Sequence, residues 1–203
     1  VAVSPFPWFP IETNPAKRGD FAAGRRLTAV DTIVLHTTEG GTIAGAKEWW
    51  DREDVVASAH FIIDGKRIVQ CVAEGDTAYH CGNGKMHRRS VGVEVVGHCA
   101  NPAMWTDAVV KQLVELCAYL VRNHQIPILH QAGPGICGHC DVPDPYRPGL
   151  YGGASHHTDP GKHFPWDRFL LELRAADARL RAAAAPSPKP PPAAGTPPPK
   201  ETP

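Results

Sequence analysis

Apolar and polar positions along the chain follow two periods. Thr32–Thr37 (TIVLHT) is a short, apolar, β-branched run that reads as a buried strand ending in a histidine. Thr42 caps a helix in which Ile43, Ala46, Trp49 and Trp50 recur at helical spacing. Residues 59–63 (AHFII) and 67–71 (RIVQC) flank Asp64-Gly65, and an Asp-Gly pair between two apolar runs predicts a hairpin. Residues 91–97 (VGVEVVG) alternate, with Val91, Val93 and Val95 on one face and Gly92, Glu94 and Val96 on the other. Thr106 and Asp107 open a helix whose Val109, Leu113, Leu116, Cys117, Leu120 and Val121 form one apolar stripe. Residues 136–142 (ICGHCDV) predict a last short strand, and Trp166, Phe169, Leu170 and Leu173 mark a final helix. Strands interleaved with helices predict a single α/β domain with a central mixed β-sheet flanked by helices.

The two ends lack this patterning. Residues 1–26 read as an irregular arm that Trp8 and Phe9 pin to the domain surface, so the folded domain is expected over 27–183. Nine prolines fall within 186–203, and such a stretch cannot bury a core. Residues 184–203 are therefore expected to form an extended linker or tail, beyond which a cell-wall-binding module is possible. The first ten residues have no basic n-region and no apolar core, so no signal peptide is expected there.

Charge removes several classes of function. Lysine plus arginine number 21 and aspartate plus glutamate number 21, so the formal net charge is zero. A dedicated nucleic-acid binder or a membrane-surface helix would carry a basic excess. No apolar run approaches the ~20 residues of a membrane span, so neither nucleic acid nor membrane is expected as a partner.

Cysteine and histidine carry the candidate chemistry. Six cysteines are scattered singly except for Cys137 and Cys140. That C-x2-C lacks the second pair that a structural zinc needs, and it lacks the following helix that a redox motif needs. A disulfide or two free thiols is the plainer reading, with Cys117 a core filler. Of eleven histidines, His36 ends the first strand and His139 lies in Gly138-His139-Cys140-Asp141 at another expected strand end. Asp159 lies in a turn before the last helix. Functional groups collect at strand ends in α/β sheets, and two imidazoles with one carboxylate suit a catalytic zinc with a place left for water. His87 and His163 read as solvent-facing, and His124 as an answer to a helix dipole. Glu94 stands alone among valines and glycines, where desolvation should raise its pKa.

Six segments in this order are more specific than any of these alone. They are IVLHTTEG (33–40), SAHFIIDGKRIVQCV (58–72), YHCG (79–82), SVGVEVVG (90–97), GHCDVP (138–143) and HTDPGKHFPW (157–166). Together they resemble the type-2 N-acetylmuramoyl-L-alanine amidases, whose fold is similar to that of peptidoglycan recognition proteins and amidase-type phage lysozymes. The resemblance implies Zn2+ ligands at His36, His139 and Asp159, the same residues that the strand-end argument selects. It implies a catalytic acid at Glu94 and a basic group at His157, where several relatives carry lysine and where His156 is a neighbouring alternative. A protonated His157 could donate to a developing oxyanion. Ala59 stands where some lysin-type relatives have a tyrosine, which leaves the proton transfer to Glu94. His60 and His80 are expected near the groove as framework or substrate-binding residues. The loop holding Tyr151-Gly152-Gly153 is expected to border it.

The function implied is hydrolysis of the amide between N-acetylmuramic acid and L-alanine in peptidoglycan. It would act at the bacterial cell wall, by a monomer, as a phage endolysin or a secreted autolysin. A non-catalytic peptidoglycan-binding module of the same fold and a zinc peptidase acting on the stem peptide are the alternatives. A pure binder has no need of His36, His139 and Asp159 together.

Overall fold

The computed structural model describes residues 10–184. The Trp8–Phe9 contact expected of the arm and the proline-rich stretch 186–203 lie outside them. The strands are β1 (Ile11–Thr13), β2 (Phe21–Ala22), β3 (Thr32–Thr37), β4 (Phe61–Ile63), β5 (Ile68–Gln70), β6 (Thr77–Ala78), β7 (Ser90–Val95) and β8 (Gly135–Gly138). The helices are α1 (Ile43–Trp50), α2 (Gly84–Arg89), α3 (Asp107–His124) and α4 (Trp166–Ala184). Six strands form a sheet in the order β1-β5-β4-β7-β3-β8, and β2 with β6 forms a separate pair. Only β4 and β5 pair antiparallel within the large sheet, so it is mixed, as expected.

Alternation along the strands sorts the two faces of the sheet. Ile33 and Leu35 of β3, Val91, Val93 and Val95 of β7 and Phe61 of β4 point one way and pack in one cluster with α3 and α4. Leu113, Leu116 and Leu120 of α3 and Phe169 and Leu173 of α4 are fully buried there, and Cys117 fills the same core. The other face carries Val34, His36, Gly92, Glu94 and Ile62, in register across neighbouring strands. Helix α1 covers part of that face through Ile43 and Trp50, against Ala59, Ile62 and Val69.

Local signals set the element ends. The Thr42 hydroxyl accepts from the Gly45 amide at 2.9 Å and starts α1. The Thr106 hydroxyl accepts from Val109 and starts α3, which Gln125 ends in the left-handed region. In the hairpin, Asp64 Oδ1 accepts from the Lys66 and Arg67 amides, and Gly65 has a φ of 85°.

Three expectations need correction. The arm is not wholly irregular: β1 pairs in parallel with β5 at the sheet edge, and β2 pairs with β6. Ile11–Thr13 is too short, and too exposed on its outer residues, to leave an alternating pattern; backbone pairing alone places it. Arg25, also in the expected arm, is buried and donates to the carbonyls of Glu74, Arg88 and Ser90. The strand expected over 136–142 stops at Gly138. Asp141 Oδ2 accepts from the Gly138 amide at 2.8 Å and folds His139–Asp141 into a single 3-10 turn. His87 is not solvent-facing: it is half-buried, and its Nε2 accepts from the Cys81 amide at 3.1 Å.

Gly92 is a strand residue with a packing reason. A Cβ there would lie 2.6 Å from the ring of His80, which is buried flat against β7. Gly92→Ala should therefore overpack this face and lower stability by about 1–3 kcal/mol in a denaturant titration. An unchanged midpoint would mean that the His80 ring has room to move.

Candidate functional site

Three parallel strands bring the candidate groups to one end of the sheet. His36 pairs directly with Glu94 across β3 and β7, so both side chains leave the same face. Leu35 pairs with Gly138 across β3 and β8, and His139 begins the turn that follows. Asp159 arrives from the loop before α4, anchored where its carbonyl accepts from the Cys140 amide at 2.9 Å. Its carboxylate also accepts from the Thr37 amide at 3.3 Å.

The result is a tight triangle. His36 Nδ1 lies 3.1 Å from His139 Nδ1 and 3.1 Å from Asp159 Oδ2, and His139 Nδ1 lies 3.4 Å from Asp159 Oδ1. All three residues are buried. Ligand bonds of ~2.0–2.1 Å in a tetrahedral zinc site set neighbouring ligand atoms about 3.3 Å apart. The donor set, two imidazole nitrogens and one carboxylate oxygen, is also one that zinc takes. The residues present therefore fit a zinc ion.

Glu94 is half-buried, and its Oε2 is sequestered with no hydrogen-bond partner. Burial pushes its carboxyl up to about 7, against the pull of His36. Burial also opposes charge on His36, but Asp159 and Glu94 outweigh it and hold the ring above its ordinary value. Burial takes His139 down to about 4. Burial works against ionisation of Asp159 too, yet the surrounding imidazoles His139, His157 and His36 hold it well below the usual carboxylate range.

The candidate residues line a cavity of about 700 Å3. His36, Glu94, His139 and Asp159 belong to its lining, while Trp49 of α1 and Val56 beyond it give it an apolar, exposed wall. His157 also lines it. Its ring stacks on His139 with centroids 4.5 Å apart and planes 6° apart, and its Nδ1 lies 3.5 Å from Asp159 Oδ1. That carboxylate favours the imidazolium form of His157. His156 is turned elsewhere: its Nε2 lies 2.8 Å from Asp144 Oδ2, and it is not part of the lining. Of the two neighbours, His157 is thus the one that faces the triangle.

His60 and His80 separate. His60 is fully buried and does not line the cavity. Its Nδ1 accepts from the Gly92 amide, and its Nε2 lies 2.7 Å from an Arg25 nitrogen. Those contacts tie it into the framework beneath the cavity. His80 does line the cavity, with its Nδ1 3.0 Å from His36 Nε2. The loop expected at the groove reaches it through Ser155. Gly153 sits so close to the Cys81 carbonyl, 2.2 Å from any added Cβ, that only glycine fits there. All six cysteines are free thiols, and none joins the triangle.

Sequence reasoning missed Ser90, Arg25 and the inward turn of His87. Ser90 opens a strand and looks like any polar strand end. Only the packing of α2 against β7 reveals its partners.

Comparison with known proteins agrees with this geometry. The family model described as N-acetylmuramoyl-L-alanine amidase matches residues 26–162. The 1,6-anhydro-N-acetylmuramyl-L-alanine amidase AmpD of Haemophilus influenzae is 31% identical over 124 residues, which span 58% of this chain and 59% of that protein. The chain thus spans about three fifths of that relative's length. Among solved structures, the Staphylococcus aureus hydrolase AmiA in complex with its ligand superposes with a TM-score of 0.68 at 18% identity, covering 87% of each chain. A mutant endolysin from Bacillus subtilis superposes with a TM-score of 0.59 at 20% identity, covering 81% of this chain and 99% of the other. These likenesses show a shared fold. With the family match over more than half its length, the chain belongs to the N-acetylmuramoyl-L-alanine amidase family.

Proposed function

We propose that this protein hydrolyses the amide bond between N-acetylmuramic acid and L-alanine in bacterial peptidoglycan, with zinc held by His36, His139 and Asp159. One observation carries the reading: two imidazole nitrogens and a carboxylate converge at the floor of a cavity, beside the unpartnered oxygen of Glu94. The family match and the AmpD relative support the choice of bond. Zinc bound there would supply the Lewis acidity that makes water nucleophilic near neutral pH and polarises an amide carbonyl.

The chain's own residues supply the rest. Glu94, raised to about 7, is basic enough to take a proton from the attacking water. Once protonated, it can hand that proton to the departing alanine nitrogen. His157, whose imidazolium form Asp159 favours, donates in that form to the oxyanion as the carbonyl becomes tetrahedral. Trp49 and Val56 give the substrate an apolar wall, and such exposed apolar surface in a groove suits ligand contact. The place of action is the bacterial cell wall, with peptidoglycan as the partner.

Mass spectrometry of digested peptidoglycan tests the bond and the metal together. Stem peptides should appear with a free L-alanine amino terminus, and a chelator should stop their release. Cleavage inside the stem would identify a peptidase instead, and binding without cleavage a recognition module.

Glu94→Gln keeps the shape and removes the base. It should retain the fold and the zinc stoichiometry while turnover drops by about 10²–10⁴-fold. Wild-type rates at full metal occupancy would leave Glu94 with a structural role alone.

His157→Ala should lower turnover with zinc affinity nearly unchanged, because His157 stacks on a ligand without belonging to the triangle. Loss of zinc in this variant, read by metal analysis, would make His157 a ligand.

A further inference from the structure

We propose that His80 is a positioning residue for His36, acting through a directed line of hydrogen bonds that runs His36–His80–Ser90–Met86. The functional consequence rests on the zinc reading above; the direction of the line does not.

The direction follows from its far end. Ser90 Oγ lies 2.6 Å from the Met86 carbonyl oxygen, which can only accept, so the hydroxyl proton points there. That hydroxyl has no second proton, so Ser90 Oγ must accept from its other neighbour, His80 Nε2, at 3.0 Å. His80 therefore carries its proton on Nε2. Its ring is buried, and neither of its hydrogen-bond partners, Ser90 Oγ and His36 Nε2, is an anion that would hold a second proton on it, so Nδ1 is left as an acceptor. That Nδ1 is 3.0 Å from His36 Nε2, which must then donate. His36 thus keeps a proton on Nε2, and Nδ1 is the nitrogen it presents to His139 and Asp159.

Two further features hold the line in place. Helix α2 carries the Met86 carbonyl, and Asn83 caps that helix by accepting from Lys85 and Met86. Gly92 leaves the space in which the His80 ring lies against β7. His139 has no such line: its Nε2 is buried without a hydrogen-bond partner, although its ring stacks on His157. Orientation by hydrogen bonding is therefore concentrated on His36. Outer partners of this kind typically change metal affinity by about 10–100-fold.

The test uses the full chain. In the metal-free protein, a long-range proton–nitrogen spectrum should show His80 with its single proton on Nε2 and His36 protonated at Nε2. Zinc affinity, measured by chelator competition, should fall about 10–100-fold in His80→Ala. His80→Asn places an amide oxygen near the old Nδ1 position and should recover most of that loss. In Ser90→Ala the far acceptor is gone, and the same spectrum should show His80 populating its other tautomer. A wild-type His80 protonated on Nδ1 would overturn the proposal, as would a His80→Ala affinity within twofold of wild type. Should His80→Ala fail to fold, the wild-type spectrum and Ser90→Ala still decide. A wild-type chain that binds no zinc would sink the metal reading alone, because the tautomers are read without metal.

Discussion

The site depends on the parallel pairing of β3 with β7 on one side and β8 on the other. All six residues of β3 are buried, so its register is fixed by two neighbours and by both faces. A slip of one residue would turn Ile33 and Leu35 away from α3 and drive His36 into the apolar core. The same alternation that fills the core therefore aims His36 and Glu94 at the cavity. Parallel strands also end on the same side, which is why His139, one residue beyond β8, meets a histidine from β3.

Gathering these groups is costly, and the surrounding structure is arranged to bear it. Buried polar atoms need partners, and most here have them: Asp159 accepts from the Thr37 amide, and His36 is held by His80. Two atoms are left over, His139 Nε2 and Glu94 Oε2. Of these, the Glu94 oxygen belongs to a residue lining the cavity, and the burial that leaves it without a partner also raises the carboxyl pKa to about 7. A fully satisfied Glu94 would be a weaker base. The unmet hydrogen bond and the proposed chemistry are one feature.

Legibility in the sequence followed the same physical division. The hairpin, the caps at Thr42 and Thr106 and the faces of β7 could be read because each is a local pattern of residue types. His36, His139 and Asp159 could be singled out because strand ends and turns are where such groups gather. What escaped depends on contacts distant in the chain. His80 reads as a groove residue and lines the cavity, but its ties to His36 and Ser90 are legible only in the folded chain. His60 carries the same side chain, yet Arg25, 35 positions earlier, closes it off. β1 was hidden because its backbone, rather than its side chains, makes the pairing.

Dividing labour between two faces of one sheet also explains how a polar cluster can sit in so small a domain. The helix-covered face supplies a continuous apolar core of β-branched and leucine side chains, which need only fill space. The opposite face tolerates gaps in that filling, as Gly92 shows, because Gly92 yields its volume to an imidazole. Moving the His80 ring onto the strand lets a second layer of hydrogen bonds lie beneath His36 without lengthening any loop. The geometry of the triangle is thus set by strand register in one direction and by the buried His80 and Ser90 in the other. Neither alone would fix both the place of His36 and the nitrogen it presents.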